Sequence, residues 1–414
     1  MLKALAWRLQ VTVSARGVIS RPHLRIPLQR LAVLTVQAVL LCLSALLLSA
    51  QAYSEPQPRR LRIAVFHADL SRAGPGLLLR DMLARAPPVD IMRAAQIIAE
   101  AKPDVLLLQG FDYDAGQVAL TEFNRLIGTG AAAFEHVFSA RPNTGWPSGV
   151  DLDGDGRSHA PRDAHGYGRF AGEGGMAVLS RLPLGPVIDL SGLLWKDLPG
   201  ADLPKSADGT AFPSEAAWEV LRLSTTAHWD VPVEIAPGSF LHLLAFHATP
   251  PAFDGPEDRN GRRARDEHRL WQAYLDGALP RGPPEGPFVL LGTGNLDPSQ
   301  GEGSAFMRAY LADRRWQDPA PLQGQPTAFW PPPLGPLRVS YLLPGANLRV
   351  LDAGILPGAE AEYRSNAVAP ALSSSEPRSE SQRAKEKAAA PLVRHLVWVD
   401  LALEPALIAP PEER

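Results

Sequence analysis

Residues 102–109 read Lys-Pro-Asp-Val-Leu-Leu-Leu-Gln, and their pattern decides the fold class. Just before them, 91–101 (IMRAAQIIAEA) carries apolar residues at helical spacing. Pro103 stops that helix, because its ring denies Lys102 the helical conformation. Four apolar residues then follow, Val105 to Leu108, with no polar alternation. A strand without alternation is covered on both faces, as in the sheet interior of an α/β protein.

Similar runs recur along the chain. Strands are predicted at 61–68 (LRIAVFHA), 135–139, 175–180 (GMAVLS), 241–247 (LHLLAFH), 288–292 (FVLLG), 337–343 and 395–401 (HLVWVDL). Helices are predicted at 76–86, 115–127, 258–279 and 304–313, so the expectation is interior sheets with helices outside. The 414 residues are 45% hydrophobic and 21% charged, which provides for a sizeable core and excludes disorder over most of the length. With 41 prolines and 35 glycines, long loops are expected. A formal charge of −3 argues against a partner held by a basic face, so nucleic acid is not favoured.

Residues 1–52 carry Lys3, Arg8, Arg16, Arg21, Arg25 and Arg30 and no acid. The uncharged run 31–52 (LAVLTVQAVLLCLSALLLSAQA) ends in Ala50-Gln51-Ala52. A basic leader, an apolar stretch and a small-x-small exit read as a secretory signal cut after Ala52. The alternative is a retained membrane anchor, since such a run is long enough to span a bilayer. A secreted or periplasmic location is expected, or attachment to the membrane by this segment. The only cysteine, Cys42, lies within it, so the exported chain has no Cys ligand or Cys nucleophile. Residues 53–410 read as one domain, with the polar, charge-mixed stretch 373–390 as a flexible insertion.

Polar residues at the ends of buried strands need partners, and a shared cleft supplies them. Such ends are Phe66-His67-Ala68-Asp69, Gln109-Gly110-Phe111-Asp112, His247-Ala248-Thr249-Pro250 and Gly292-Thr293-Gly294-Asn295. Arg394-His395 opens the last strand.

The order of these words resembles the endonuclease/exonuclease/phosphatase superfamily, the metal-dependent phosphoesterases related to DNase I, over about residues 61–403. KPDVLLLQ is similar to that family's second strand, and 167–181 (YGRFAGEGGMAVLSR) to its central Gly-Met-Ala-Val-Leu-Ser-Arg stretch. Residues 337–343 (LRVSYLL) resemble its Arg-Ile-Asp-Tyr strand. The resemblance implies a four-layer α/β sandwich, two packed mixed sheets flanked by helices. It implies catalytic roles for His247, which matches the phosphate-touching histidine, for Asn295, which matches the Asn of Gly-Asp-x-Asn, and for His395, which falls on the closing Ser-Asp-His. Arg141, Tyr167 and His67 are candidate phosphate contacts.

The departures bear on mechanism. The family's first-strand Asn falls at His67 and its metal-binding Glu at Gly110. Three of its Asp residues fall at Thr293, Ser340 and Arg394. A divalent cation such as Mg²⁺ or Mn²⁺ is held by carboxylates and substrate oxygens, and glycine offers no side-chain ligand. Threonine is no base near neutral pH, and arginine only donates. Asp112, two residues past Gly110, is a candidate replacement metal ligand or an ordinary loop carboxylate. His67 is a candidate nitrogen ligand or a hydrogen-bonded structural residue.

Independently of the family, Asp151, Asp153 and Asp155 stand at i, i+2 and i+4 with Gly156 next, as at the start of a calcium loop. Position twelve is Arg162, so this is not an EF-hand; the choice is a Ca²⁺ loop or a self-capping turn. The arginines of 259–269 alternate with acids and are expected on a solvated helix face. Two functions are consistent with these residues: an exported hydrolase of phosphomonoesters or phosphodiesters with an altered metal site, or a catalytically inactive ligand- or partner-binding member of the same family.

Overall fold

In the first strand Leu61, Ile63 and Val65 face one way and Ala64 and Phe66 the other, and all five are buried. That double burial follows from the fold's layering. The computed structural model describes residues 59–130, 133–330, 333–357 and 394–404. The predicted leader and the 373–390 insertion lie outside the described residues. All described residues fall in one unit, Pro58–Arg414.

The first sheet contains β1 (Arg59–His67), β2 (Val105–Phe111), β3 (His136–Phe138), β4 (Gly175–Ser180), β12 (Val350–Leu356) and β13 (Leu396–Leu403), in the order β12-β13-β1-β2-β4-β3. The second contains β5 (Ile188–Asp189), β6 (His228–Ala236), β7 (Ser239–His247), β8 (Phe288–Thr293) and β11 (Ser340–Pro344), in the order β11-β8-β7-β6-β5. Each sheet is mixed, with one parallel pair at its centre: β1 with β2, and β7 with β8. Leu61, Ile63, Val65 and Val178 of one sheet meet Val231, Leu243, Val289 and Leu291 of the other in the central core. Each such side chain contributes roughly 1.5–3 kcal/mol by leaving water.

Helices cover the outer faces. On the first sheet, α1 (Leu77–Met82), α2 (Val89–Ala101) and α3 (Val118–Ile127) pack Leu78, Ile91 and Phe123 against Phe66, Leu106 and Leu108. The helix α2 buries Ile91, Ala94, Ala95 and Ile98, and it ends where Lys102 turns left-handed before Pro103. The short α4 (Glu215–Trp218) is capped by the Ser214 hydroxyl and buries Ala217 on the second sheet. There α5 (Arg259–Leu275) and α6 (Ser304–Leu311) pack Trp271 and Met307 against Phe246 and Leu290. The chain is thus the four-layer α/β sandwich expected from its sequence.

Two features depart from the sequence reading. The strand expected at 337–343 is divided. Pro336–Leu337 (β10) pairs with Ala328–Phe329 (β9), and β11 begins only at Ser340. Between them the Arg338 amide donates to Asp297 (2.6 Å) and the Val339 amide to Thr327 Oγ1 (2.9 Å), which takes both out of the ladder. The strand β6 was not expected, because Asp230 and Pro232 interrupt its apolar pattern. Asp230 is fully buried but bonded to His242 and Tyr274. Pro232, which has no N–H, lies beyond the reach of the two-residue strand β5.

Candidate functional site

Parallel pairing brings the strand ends together. In β1 and β2 the last matched residues are His67 and Gln109; in β7 and β8 they are His247 and Thr293. Gln109 then reaches across the sandwich, donating from Nε2 to the Phe246 carbonyl at 2.8 Å. The Thr293 hydroxyl donates to Gln109 Oε1 at 2.8 Å, and the Ser340 hydroxyl lies 3.4 Å from it. Gln109, Thr293 and Ser340 are all buried. They form a neutral bonded cluster where the family resemblance places two aspartates.

Gly110 has φ +67°. A Cβ built on it would lie 2.6 Å from Cε1 and 2.9 Å from Nδ1 of His67. The imidazole therefore fills the room in which a side chain at position 110 would begin. Asp69, with φ 52°, places Oδ1 3.3 Å from His67 Nδ1, outside hydrogen-bond alignment. The His67 and His247 rings meet edge-on with centroids 4.9 Å apart. Nδ1 of His247 has no hydrogen-bond partner, and Nδ1 of His67 has only the Asp69 carboxylate beside it. Burial, with the Arg394 charge, holds both imidazoles below the ordinary histidine range; for His247 the neighbouring His67 adds to this. Both are neutral near pH 7.

Arg394 is nearly buried and lies across the Trp330 ring at 5.1 Å. Its Nε is 3.7 Å from Asp69 Oδ2, and its Nη1 has no hydrogen-bond partner. His395 is buried, its ring tilted against Phe329 at 4.8 Å and its amide donating to the Thr327 carbonyl at 2.8 Å. Asn295, at φ 57°, donates from Nδ2 to the Ala248 carbonyl at 2.7 Å, immediately after His247. His67, His247, Asn295, Arg394 and His395 thus gather at one end of the two sheets.

These groups do not fit a divalent cation at the family's metal position. Gly110 supplies no ligand and His67 takes its space. Thr293 is turned to Gln109, Ser340 lies against Thr293, and Arg394 brings a positive charge. Among the described residues, the one cluster of three or more His, Cys or acidic side chains able to share an ion is Asp151, Asp153 and Asp155, away from these groups in sequence. Asp112 is not part of any such cluster among the described residues. Its Oδ2 accepts the Arg72 amide (2.8 Å) and its Oδ1 the Gly174 amide (3.0 Å), so it ties two loops together, and burial raises its pKa.

A cavity of about 550 Å³ opens from His67 and His247. Tyr167 and Phe253 line it, both well exposed, with Leu152, Leu221, Ala164 and Pro250 as apolar wall. Arg141 is not on the lining; its guanidinium stacks 3.8 Å from the Trp146 ring. The aspartate triad lies in a turn whose carboxylates accept the turn's own amides, Asp151 taking those of Gly154 and Gly156. Its Leu152 carbonyl accepts from Arg259, which connects the turn to the cavity wall.

The helix α5 corrects the expected solvated arginine face. Arg263 and Glu267 are buried. Glu267 accepts the amides of Thr225 and Thr249, the latter at 2.7 Å, and so holds two cavity-lining segments. Burial pushes its carboxyl up to about 7, and burial lowers the neighbouring Arg263 guanidinium to about 10. The signal was available: Arg263 and Glu267 lie at i, i+4 on the stripe that continues through Leu270, Trp271 and Tyr274.

Residues 78–371 match the model of a family described as Endonuclease/Exonuclease/phosphatase family. No curated protein matches the chain. Among solved structures it is similar to the endonuclease/exonuclease/phosphatase from Beutenbergia cavernae DSM 12333, at 16% identity over 83% of this chain and 72% of that one, with TM-score 0.48. It is also similar to sphingomyelinase C from Streptomyces griseocarneus, at 16% identity, 83% and 99% coverage and TM-score 0.43. For TDP2 from Caenorhabditis elegans the figures are 10%, 83%, 74% and 0.39. These are likenesses of fold at identities too low to carry residue roles.

Proposed function

The chain belongs to the endonuclease/exonuclease/phosphatase family, and on that premise we propose that its cleft receives a phosphomonoester or phosphodiester outside the cytoplasm. Family and fold support a phosphoesterase-type hydrolase. The observation that carries the ligand class is the meeting of His67 and His247, rings 4.9 Å apart, on the wall of a cavity far larger than one phosphoryl group. A neutral imidazole offers one N–H donor, which suits a phosphoryl oxygen. The exposed rings of Tyr167 and Phe253 supply apolar surface for the organic part.

A binding role without efficient turnover is favoured over hydrolysis by the neutral Gln109–Thr293–Ser340 cluster, which offers no base to an attacking water. At the family's metal position Gly110, Thr293, Ser340 and Arg394 offer no carboxylate to a cation. The hydrolase reading keeps its own support in His247, Asn295 and His395 at the family's positions. Export rests on the 1–52 leader; among the described residues no helix is long and apolar enough to cross a membrane. Nucleic acid remains among the phosphodiesters to be tried, given the family.

The test is calorimetric binding and turnover of p-nitrophenyl phosphate, its bis-ester and a DNA oligonucleotide, with Mg²⁺, Mn²⁺, Ca²⁺ or Zn²⁺. Binding with little turnover is expected. Turnover abolished by His247→Ala and His395→Ala establishes the hydrolase instead; neither binding nor turnover removes the phosphoester reading.

A further inference from the structure

We infer that the cleft is an anion site that works without a divalent cation: His67 and His247 meet the phosphoryl oxygens, Arg394 supplies the positive charge behind them, and the His67 ring occupies the room a ligand at position 110 would need. This deepens the phosphoester reading and rests on it.

The argument is one of charge and space. A dianionic phosphoryl group entering a cleft lined with carboxylates needs a cation to offset repulsion. Here the positions that the family resemblance assigns to carboxylates hold Gly110, Thr293, Ser340 and Arg394. Two of these are neutral hydroxyls, Thr293 donating to Gln109 and Ser340 lying 3.4 Å from Thr293. The fourth is a cation, so the change at position 394 is a reversal of sign. The nearest acid to Arg394, Asp69, is about half exposed and meets it only at 3.7 Å. Glu173, the other acid lining the cavity, is engaged by Arg169. The balance around His67 and His247 suits an incoming anion before any metal is added.

The space is closed in step. His67 lies 2.6 Å from the Cβ position of Gly110 and is itself buried. Glycine at 110 is what admits the ring, and the ring excludes a carboxylate side chain from 110. Position 110 offers no side-chain ligand, and the His67 ring holds the volume beside it. Nδ1 of His67 faces the Asp69 carboxylate at 3.3 Å, while Nδ1 of His247 and Nη1 of Arg394 have no hydrogen-bond partner and are buried polar atoms of the kind that a bound oxyanion and its waters satisfy.

The experiment titrates the full chain with inorganic phosphate and with phenyl phosphate in EDTA, then in Mg²⁺ and in Mn²⁺. Binding in EDTA that changes less than about twofold on adding either cation is expected. Arg394→Ala should weaken it by about tenfold or more, the loss expected for a charge-assisted contact, while Arg394→Lys keeps most of it. Mn²⁺ binding followed by paramagnetic resonance should disappear with Asp153→Ala, leaving none in the cleft. Phosphate binding that appears only with a divalent cation, or Mn²⁺ binding that survives Asp153→Ala and is lost with His67→Ala, overturns the inference and leaves the phosphoester reading standing. No binding of either ligand in any condition defeats both.

Discussion

Cε1 of His67 stands 2.6 Å from the point at which any side chain on Gly110 would start. Two costs therefore meet at position 110, a left-handed backbone at φ +67° and an occupied volume. Gly110→Ala should destabilise the protein by about 2–4 kcal/mol in urea denaturation. In a His67→Ala background the ring overlap is removed, leaving the backbone strain and a 3.1 Å approach to the Asp69 amide nitrogen, so the same change should cost about 1–2 kcal/mol. Equal costs in the two backgrounds would show that the ring does not occupy the site.

Thr293→Asp, which restores the family's residue, should not restore its chemistry. Thr293 is fully buried and bonded to Gln109, so a carboxylate there loses its water with no cation to replace it. Its folded pKa is raised, so the variant is least perturbed below the unfolded value near 3.9 and loses stability as pH rises through the folded value. A deficit of about 3 kcal/mol or more near pH 8, smaller at pH 5, is expected, with no gain in phosphodiester turnover. A stable variant with new turnover would show that the cluster is open to solvent.

The parent should lose stability on acidification. His228 and His268 are fully buried, and burial lowers them to about 3 and about 4. Depressed folded values give stability that is complete above the unfolded pKa near 6.5 and lost as pH falls toward the folded values. Glu267, pushed up to about 7, acts oppositely, its contribution fading as pH rises from about 4.5 through 7. His67 and His247 side with the other histidines. The melting temperature should therefore fall between pH 6.5 and 5, and His268→Phe should remove about 1.4 kcal/mol per pH unit of that slope. An unaltered slope in the variant would show that His268 is not held neutral.

The turn holding Asp151, Asp153 and Asp155 places ligand oxygens within 4.8 Å of one another. If they share Ca²⁺, a hundredfold excess over Kd stabilises the chain by about 2.7 kcal/mol, a rise of a few degrees in Tm. Asp153→Ala should cancel that rise. A parent melting curve indifferent to Ca²⁺ leaves a turn capped only by its own amides.

Position in the site was readable where it follows from strand ends. His67, His247, Asn295 and His395 each end or open a buried run, and the parallel pairs β1–β2 and β7–β8, with β13 antiparallel to β1, bring such ends together. Direction was not readable. Asp112 sits in the right loop, yet it turns both oxygens to the amides of Arg72 and Gly174. Arg141 is in a plausible loop but stacks on Trp146. Arg263 and Glu267 looked like a solvated face because charge outweighed their place on the apolar stripe.

The sequence by itself determined the layers and the family. Unalternated apolar runs and the stop at Lys102-Pro103 are local patterns that dictate double burial wherever the chain folds. The tertiary structure alone decided what the cleft can hold. Whether a ring from β1 fills the space beside a glycine of β2 depends on backbone angles and side-chain directions that two distant segments set for each other.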